Sequence, residues 1–82
     1  MELFKGIIEA KTLKVLSLFL KNPNELYHIN KASLDSGVPL ATAFRVINKL
    51  TENSFLEYRQ ISKFRIYKLA DNKKTRKLRK LL

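Results

Sequence analysis

The residues of this chain that could do chemistry are mostly cations, and they are unevenly distributed. Residues 1–58 carry seven basic and six acidic side chains, whereas residues 59–82 carry ten basic side chains and one acidic side chain, Asp71. A nearly neutral body with a strongly cationic C-terminal third favours binding to a polyanion. The candidates at this point are a nucleic acid and an anionic membrane surface.

The sequence contains few residues of the types that catalyse reactions. There is no cysteine and one histidine, His28, so the chain offers no thiol nucleophile and no cysteine ligands for zinc. Its two glycines form no phosphate-binding loop motif, and its carboxylates show no pairing pattern. We therefore expect no enzyme activity, no metal and no cofactor, and we expect a structural role for His28.

Two helices are predicted in the first half of the chain. Residues 11–20 have a helical apolar pattern, and the Asn-Pro pair that follows ends the helix because a residue before proline avoids the helical region. Residues 30–36 predict a second helix, with Asn30 as its N-cap and Gly37 at its left-handed C-terminal position.

A third helix and a hairpin follow. Pro39 suits the first helical position, and the pattern continues to about residue 53. One face holds Ala43, Val46, Ile47 and Leu50, and the opposite face holds Ala41, Arg45, Asn48 and Glu52, flanked by Thr42 and Lys49. Residues 55–60 and 64–69 then alternate with period two around a short polar turn, which predicts a β-hairpin.

The order of these elements, with a short strand at residues 27–28, resembles a winged helix-turn-helix domain over residues 11–69. The segment HINKASLDSGVPLATAFRVINKLTENSFLEYRQ is similar to MarR-like and ArsR-like regulators, in which a short helix, a GV turn and a Thr- and Arg-containing helix precede the first wing strand. KFRIYKLAD resembles the returning wing strand. Two positions depart from the pattern: Pro39-Leu40 replaces a Ser/Thr-Pro start, and Ser54 stands where Gly is common.

The resemblance implies a mainly α fold with a small β-hairpin (α+β class), as one domain over residues 1–82 with helical extensions at 1–10 and 71–82. It also implies that the third helix enters the major groove of double-stranded DNA while the wing reaches the backbone or the minor groove. The residues it places against DNA are Ala41, Thr42, Phe44, Arg45, Asn48 and Lys49 on the helix, and Arg59, Lys63 and Arg65 on or near the wing.

Physical chemistry gives these side chains different tasks. Arg45 can donate two hydrogen bonds to a guanine edge, and Asn48 can pair with an adenine edge. Lys49 and the wing cations are better suited to phosphates, which position a protein without selecting sequence. Phe44 also fits a flanking core or interface aromatic.

The basic tail leaves several alternatives open. Residues 71–82 can form one more helix, but a helix of this length is marginal alone, so it must dock, pair with a partner or fray. Lys73, Lys74, Arg76 and Lys77 are candidates for additional phosphate contacts.

Surplus apolar residues predict a homodimer. Leu3, Phe4, Ile7 and Ile8 exceed what one small core requires, and Leu78, Leu81 and Leu82 are further candidates for the interface. A two-fold dimer would present two third helices to successive major grooves, about 34 Å apart.

The expected function is that of a transcriptional regulator that binds double-stranded DNA. A repressor is favoured over an activator because nothing remains of the chain to recruit polymerase. The alternatives are a winged helix that binds protein or RNA, and a non-specific, chromatin-like DNA binder. No apolar run is long enough to span a bilayer, so we expect a cytoplasmic, nucleoid-associated protein and no membrane partner.

Overall fold

The computed structural model describes residues 10–81, which fold as four helices and one antiparallel hairpin. In chain order the elements are α1 (Ala10–Lys21), α2 (Ile29–Ser36), α3 (Leu40–Glu52), β1 (Leu56–Ile61), β2 (Phe64–Leu69) and α4 (Lys73–Lys80). This is the predicted winged helix-turn-helix of mixed α+β class, with the hairpin as the wing. The N-terminal extension with Leu3, Phe4, Ile7 and Ile8 lies outside the described residues, as does Leu82.

The core lies between the three helices and the base of the wing. The buried stripe of α3 is the predicted one, with Ala43, Val46, Ile47 and Leu50 all buried. It packs against α1, whose side chains Val15 and Phe19 are fully buried. Burial of each large aliphatic or aromatic side chain stabilises the fold by about 1.5–3 kcal/mol, so this stripe fixes which side of α3 remains outside.

The start of α2 differs from the prediction. The helix begins at Ile29, and its N-cap is His28 rather than Asn30. The Nδ1 atom of His28 accepts a hydrogen bond from the backbone N–H of Asn30 at 3.3 Å, which satisfies one of the donors that every helix N-terminus leaves open. At the other end, Gly37 has a φ of 71° and confirms the predicted left-handed C-terminal residue.

The start of α3 differs by one residue as well. Pro39 is the N-cap rather than the first helical residue, because its ψ of 145° is extended. Its carbonyl still accepts the first helical hydrogen bond, from the N–H of Ala43 at 2.8 Å. Proline has no side-chain acceptor, so no side chain caps this end of the helix.

Ser54 makes the exit from α3 possible. The N–H of Phe55 donates to the carbonyl of Leu50 and the N–H of Ser54 donates to that of Thr51, which is the hydrogen-bond pattern of a Schellman motif. The residue between such bonds adopts a left-handed backbone, and Ser54 does so with a φ of 65°. Glycine usually occupies this left-handed position, and Ser54 adopts the same conformation with backbone strain because it has a Cβ atom.

The wing is a hairpin with a two-residue turn, Ser62 and Lys63. Its register pairs Leu56 with Leu69 at the base and Ile61 with Phe64 at the tip. Both strands are confirmed, β1 being shifted by one residue from its predicted span. The predicted short strand at residues 27–28 is confirmed as a bridge in which Tyr27 and Tyr67 exchange two backbone hydrogen bonds of 2.7 and 2.8 Å.

Tyr27 also ties this bridge to the core. Its ring meets that of Phe19 edge-on, with centroids 5.0 Å apart. Burial raises the pKa of the Tyr27 hydroxyl, and the nearby carboxylates of Glu25 and Asp35 raise it further. The side chain therefore stays neutral well into the alkaline range.

The basic tail is docked, so the frayed alternative is wrong for residues 73–80. Asn72 caps α4 in a capping box with Thr75, whose side chain is 1% exposed. The Thr75 hydroxyl donates to the carbonyl of Ala70 at 2.6 Å. With Thr75 buried and Leu78 packed against the core, α4 lies against α1 at the base of the wing.

Candidate nucleic-acid interface

The outer face of α3 presents the residues that the sequence assigned to DNA. Because the opposite stripe is buried, six side chains share this side of the helix. Ala41, Phe44, Arg45 and Lys49 are exposed, and Thr42 and Asn48 are half-buried. The face therefore combines hydrogen-bond donors and cations with two apolar groups.

A cleft of about 440 Å³ separates this face from the wing. Phe44 and Asn48 line it from α3, and Lys63 and Arg65 line it from the wing. The fold thereby places these four residues on one concave surface, although they lie up to 21 positions apart in the sequence. An amide, an ammonium and a guanidinium group at its wall make it suitable for a phosphate or for the polar edge of a base.

The cleft is also lined by Gln60 and His28, which were not predicted to belong to the site. Gln60 lies directly across the hairpin from Arg65. His28 caps α2, and its ring also meets the ring of Phe64 at a centroid distance of 5.6 Å, which connects α2 to the tip of the wing. The structural role expected for His28 is present, and its position in the cleft depends on contacts between distant segments.

The Arg65 side chain is held by the two strands of the wing. Its guanidinium carbon lies 4.4 Å from the centre of the Tyr58 ring, and its Nε donates to Oε1 of Gln60 at 3.3 Å. Gln60 in turn donates from Nε2 to the carbonyl of Ser62 at 3.2 Å. Tyr58 was not predicted to take part, because this stack exists only in the observed strand register.

Arg59 does not reach the cleft. Successive side chains of a strand point to opposite faces, so Arg59 lies with Glu57 on the side away from Tyr58 and Gln60. On that outer face the carboxylate of Glu57 is 3.5 Å from the ammonium of Lys68. The structure thus separates Arg59 from the other two predicted wing cations, Lys63 and Arg65.

The tail cations form a second basic surface at the base of the wing. Lys74 donates to the carbonyl of Asn53 and lies 4.2 Å from the centre of the Phe55 ring, and Arg76 pairs with Asp71 at 3.0 Å. Lys73 and Lys77 are exposed. The strand β2 runs from the tip to this surface, a length of about 20 Å. Phosphate contact by these four residues stays a prediction.

The described part of the chain, residues 10–81, holds no cluster of three or more His, Asp or Glu side chains arranged to bind a metal. None of the helices in this same range has the length and apolar character needed to cross a membrane.

The fold and the exposed helix define the class of protein: a winged helix-turn-helix domain of the DNA-binding transcriptional regulators. Residues 10–60 match the model of the IclR helix-turn-helix domain, which covers more than half of the chain. The chain belongs to this family. The resemblance to winged helix-turn-helix regulators is confirmed, although the sequence motifs did not single out the IclR type.

Solved structures show the same fold at low sequence identity. One is a "possible transcriptional regulator" from Methanosarcina mazei Go1, 20% identical with a TM-score of 0.73, covering 90% of this chain and 66% of that one. A ferric uptake regulator from Francisella tularensis, solved with iron, is 18% identical with a TM-score of 0.71, covering 80% of this chain and 55% of that one.

A third similar structure is the homodimeric winged helix-turn-helix DNA-binding domain of a "possible ArsR-family transcriptional regulator" from Mycobacterium bovis. It is 19% identical with a TM-score of 0.69, covering 94% of this chain and 68% of that one. The chain spans about two thirds of the first of these proteins and about half of the second. No curated protein sequence matches the chain.

Proposed function

We propose that the protein is a sequence-specific, non-catalytic regulator of transcription that binds double-stranded DNA through α3 and the wing. The observation that carries this proposal is the cleft, which sets the Asn48 amide of α3 beside the wing cations Lys63 and Arg65. In this arrangement α3 lies in the major groove, with Arg45 and Asn48 at base edges. Lys49, Lys63 and Arg65 contact the phosphates or the minor groove beside it.

The dimensions of the two elements support this arrangement. The 13 residues of α3 form a rod about 20 Å long, and the major groove of B-DNA, about 12 Å wide, admits one helix. With its buried stripe turned to the core, α3 can enter the groove without disturbing the fold. The wing then lies beside the groove, and one DNA strand passes between the wing and α3.

We also propose that the protein acts as a homodimer. The Mycobacterium bovis domain is described as homodimeric. Among the exposed leucines of residues 10–81, Leu13 on α1 is 45% exposed and Leu81 at the end of α4 is 81% exposed. Leu78 instead packs against its own core, so it contributes less to a partner than the sequence suggested. The roles of Leu3, Phe4, Ile7 and Ile8 stay a prediction, which sedimentation equilibrium of the whole chain would test.

Repression is the regulatory outcome that we propose. A dimer seated on a promoter in this way would cover the duplex over more than one helical turn and exclude polymerase by occupancy alone. In vitro transcription from the regulated promoter should decrease as the protein is added. Stimulated transcription would contradict repression while leaving the DNA-binding proposal intact.

The deciding experiment compares affinities for a duplex from the protein's own promoter region and for a random duplex of equal length. We expect tighter binding to the promoter duplex, with affinity falling steeply as salt increases. Equal affinities would indicate a non-specific, chromatin-like binder. Absence of binding to either duplex at low salt would refute the proposal and favour a protein- or RNA-binding winged helix.

A further inference from the structure

The two strands of the wing surround Arg65 with partners on more than one side. On the inner face of the hairpin, Gln60 is directly opposite Arg65, and Tyr58 is its diagonal neighbour. Diagonal pairs across a hairpin are close enough for an aromatic ring and a long side chain to meet. The guanidinium group of Arg65 therefore stacks on Tyr58 while its Nε is hydrogen-bonded to Gln60.

This arrangement is anchored in the core. Tyr58 itself packs against Tyr67, at a ring-centroid distance of 5.9 Å, and Tyr67 is 1% exposed. Gln60 is fixed at its other end by its hydrogen bond to Ser62, inside the turn. An exposed arginine normally samples many rotamers, whereas this one is restrained by a ring, an amide and the turn.

The contacts also decide which atoms of Arg65 remain available. Guanidinium has five N–H donors in a planar fork, and Gln60 uses the donor on Nε. Tyr58 covers one face of the guanidinium plane. The N–H groups of the two terminal nitrogens point outward within that plane, so the stack does not block them. Arg65 lines the same cleft as Asn48 and Lys63, and a phosphate accepts well from such a fork.

We propose that Tyr58 and Gln60 are positioning residues that hold the Arg65 guanidinium at the cleft between α3 and the wing, where it receives a DNA phosphate. This inference rests on the proposed DNA binding. Tyr58 and Gln60 then increase DNA affinity only when Arg65 is present. They order the Arg65 side chain before binding, which lowers the entropy lost on association.

A double-mutant cycle tests this dependence, with the whole chain and the promoter duplex as reagents. Tyr58→Leu removes the stacking face, and we expect it to weaken binding about three- to tenfold. Tyr58→Phe keeps the ring and should bind within about twofold of the natural protein. In an Arg65→Gln background, Tyr58→Leu should have no further effect.

Gln60→Leu provides an independent test that leaves the ring untouched. We expect it to weaken binding about threefold when Arg65 is present and to have no effect in the Arg65→Gln background. Thermal unfolding of every variant shows whether the wing itself has been lost. Gln60 is exposed, so we expect the Gln60→Leu variant to fold even if the Tyr58→Leu variant unfolds.

The outcomes separate this inference from the proposal on which it rests. If the natural protein binds no duplex, the proposed function fails. If it binds, but Tyr58→Leu and Gln60→Leu weaken binding equally with and without Arg65, then both residues act only on the structure of the wing and the inference is overturned. Unchanged affinity in both variants overturns it as well.

Discussion

The dependence of DNA affinity on salt is the property for which the structure gives the most direct number. The α3–wing face, defined here as the outer side of α3 together with the cleft, carries four cations: Arg45, Lys49, Lys63 and Arg65. Each phosphate neutralised on B-DNA contributes about 0.9 to the slope of log affinity against log salt. Arg45 is assigned to a base edge, and the other three contacts predict a slope of about −2.7 for each bound protomer, so a rise from about 50 to 200 mM salt lowers affinity about 40-fold.

The tail surface predicts a different value. Six more cations lie on α4: Lys73, Lys74, Arg76, Lys77, Arg79 and Lys80. Because α4 packs on α1 and α1 packs on the buried side of α3, these cations form a surface separate from the α3–wing face, and the slope shows whether they contact the same duplex. If all six contacted the same duplex as well, the slope would be about −8 for each protomer.

Fluorescence anisotropy of a labelled promoter duplex at five salt concentrations measures this slope, with the stoichiometry determined separately. Lys63→Gln should reduce its magnitude by about 0.9. Lys14→Gln removes an equal charge from the exposed surface of α1 and should leave it unchanged. A slope near the larger value would show that the tail cations contact the same duplex. An unchanged slope for Lys63→Gln would refute the assignment of phosphate contacts to the α3–wing face.

Four further predictions concern single residues. Arg45→Ala should weaken binding to the specific site by about 1–3 kcal/mol with unchanged thermal unfolding, and equal losses on random DNA would argue against base contact. Ser54→Gly should relieve the left-handed strain and stabilise the fold by about 1 kcal/mol, seen as a higher melting temperature, with Ser54→Ala near neutral as the control. Thr75→Val leaves the Ala70 carbonyl without its donor and should destabilise the fold by about 1–3 kcal/mol, whereas Thr75→Ser should recover most of this in urea unfolding. Because burial raises the pKa of Tyr27 above its ordinary value of 10.0, its contribution to stability is complete below that pH and is lost as pH rises further; Tyr27→Phe should show less alkaline loss in pH-dependent melting.

The buried face of α3 could be predicted from the sequence because its period is local. Ala43, Val46, Ile47 and Leu50 repeat at helical spacing, and their burial follows from amphipathicity alone. Once they are placed, the outward position of Arg45 is fixed by geometry. The helix α3 also ends in the way that is typical of the family although Ser54 replaces Gly, because the Schellman hydrogen bonds are made by backbone atoms.

The parts that could not be predicted depend on register and on distant partners. Gln60 joins Arg65 only because the turn contains two residues, since a shift of one position would send Gln60 to the other face of the wing. Arg59 illustrates the same rule, as a basic wing residue that the register places on the outer face. The cap provided by His28 was missed because Asn30 has the stronger general preference for that role.

The junction between α3 and α4 links two surfaces that are otherwise separate. Asn72 donates to the carbonyl of Ser54 at 2.9 Å, and Lys74 donates to that of Asn53, so the residues just after the end of α3 accept hydrogen bonds from the start of α4. Coupling between two sites is thermodynamically reciprocal. If α3 binds DNA as proposed, a molecule that shifts α4 would change the free energy of placing α3 in a groove, and the bound DNA would change the affinity of α4 for that molecule by the same factor.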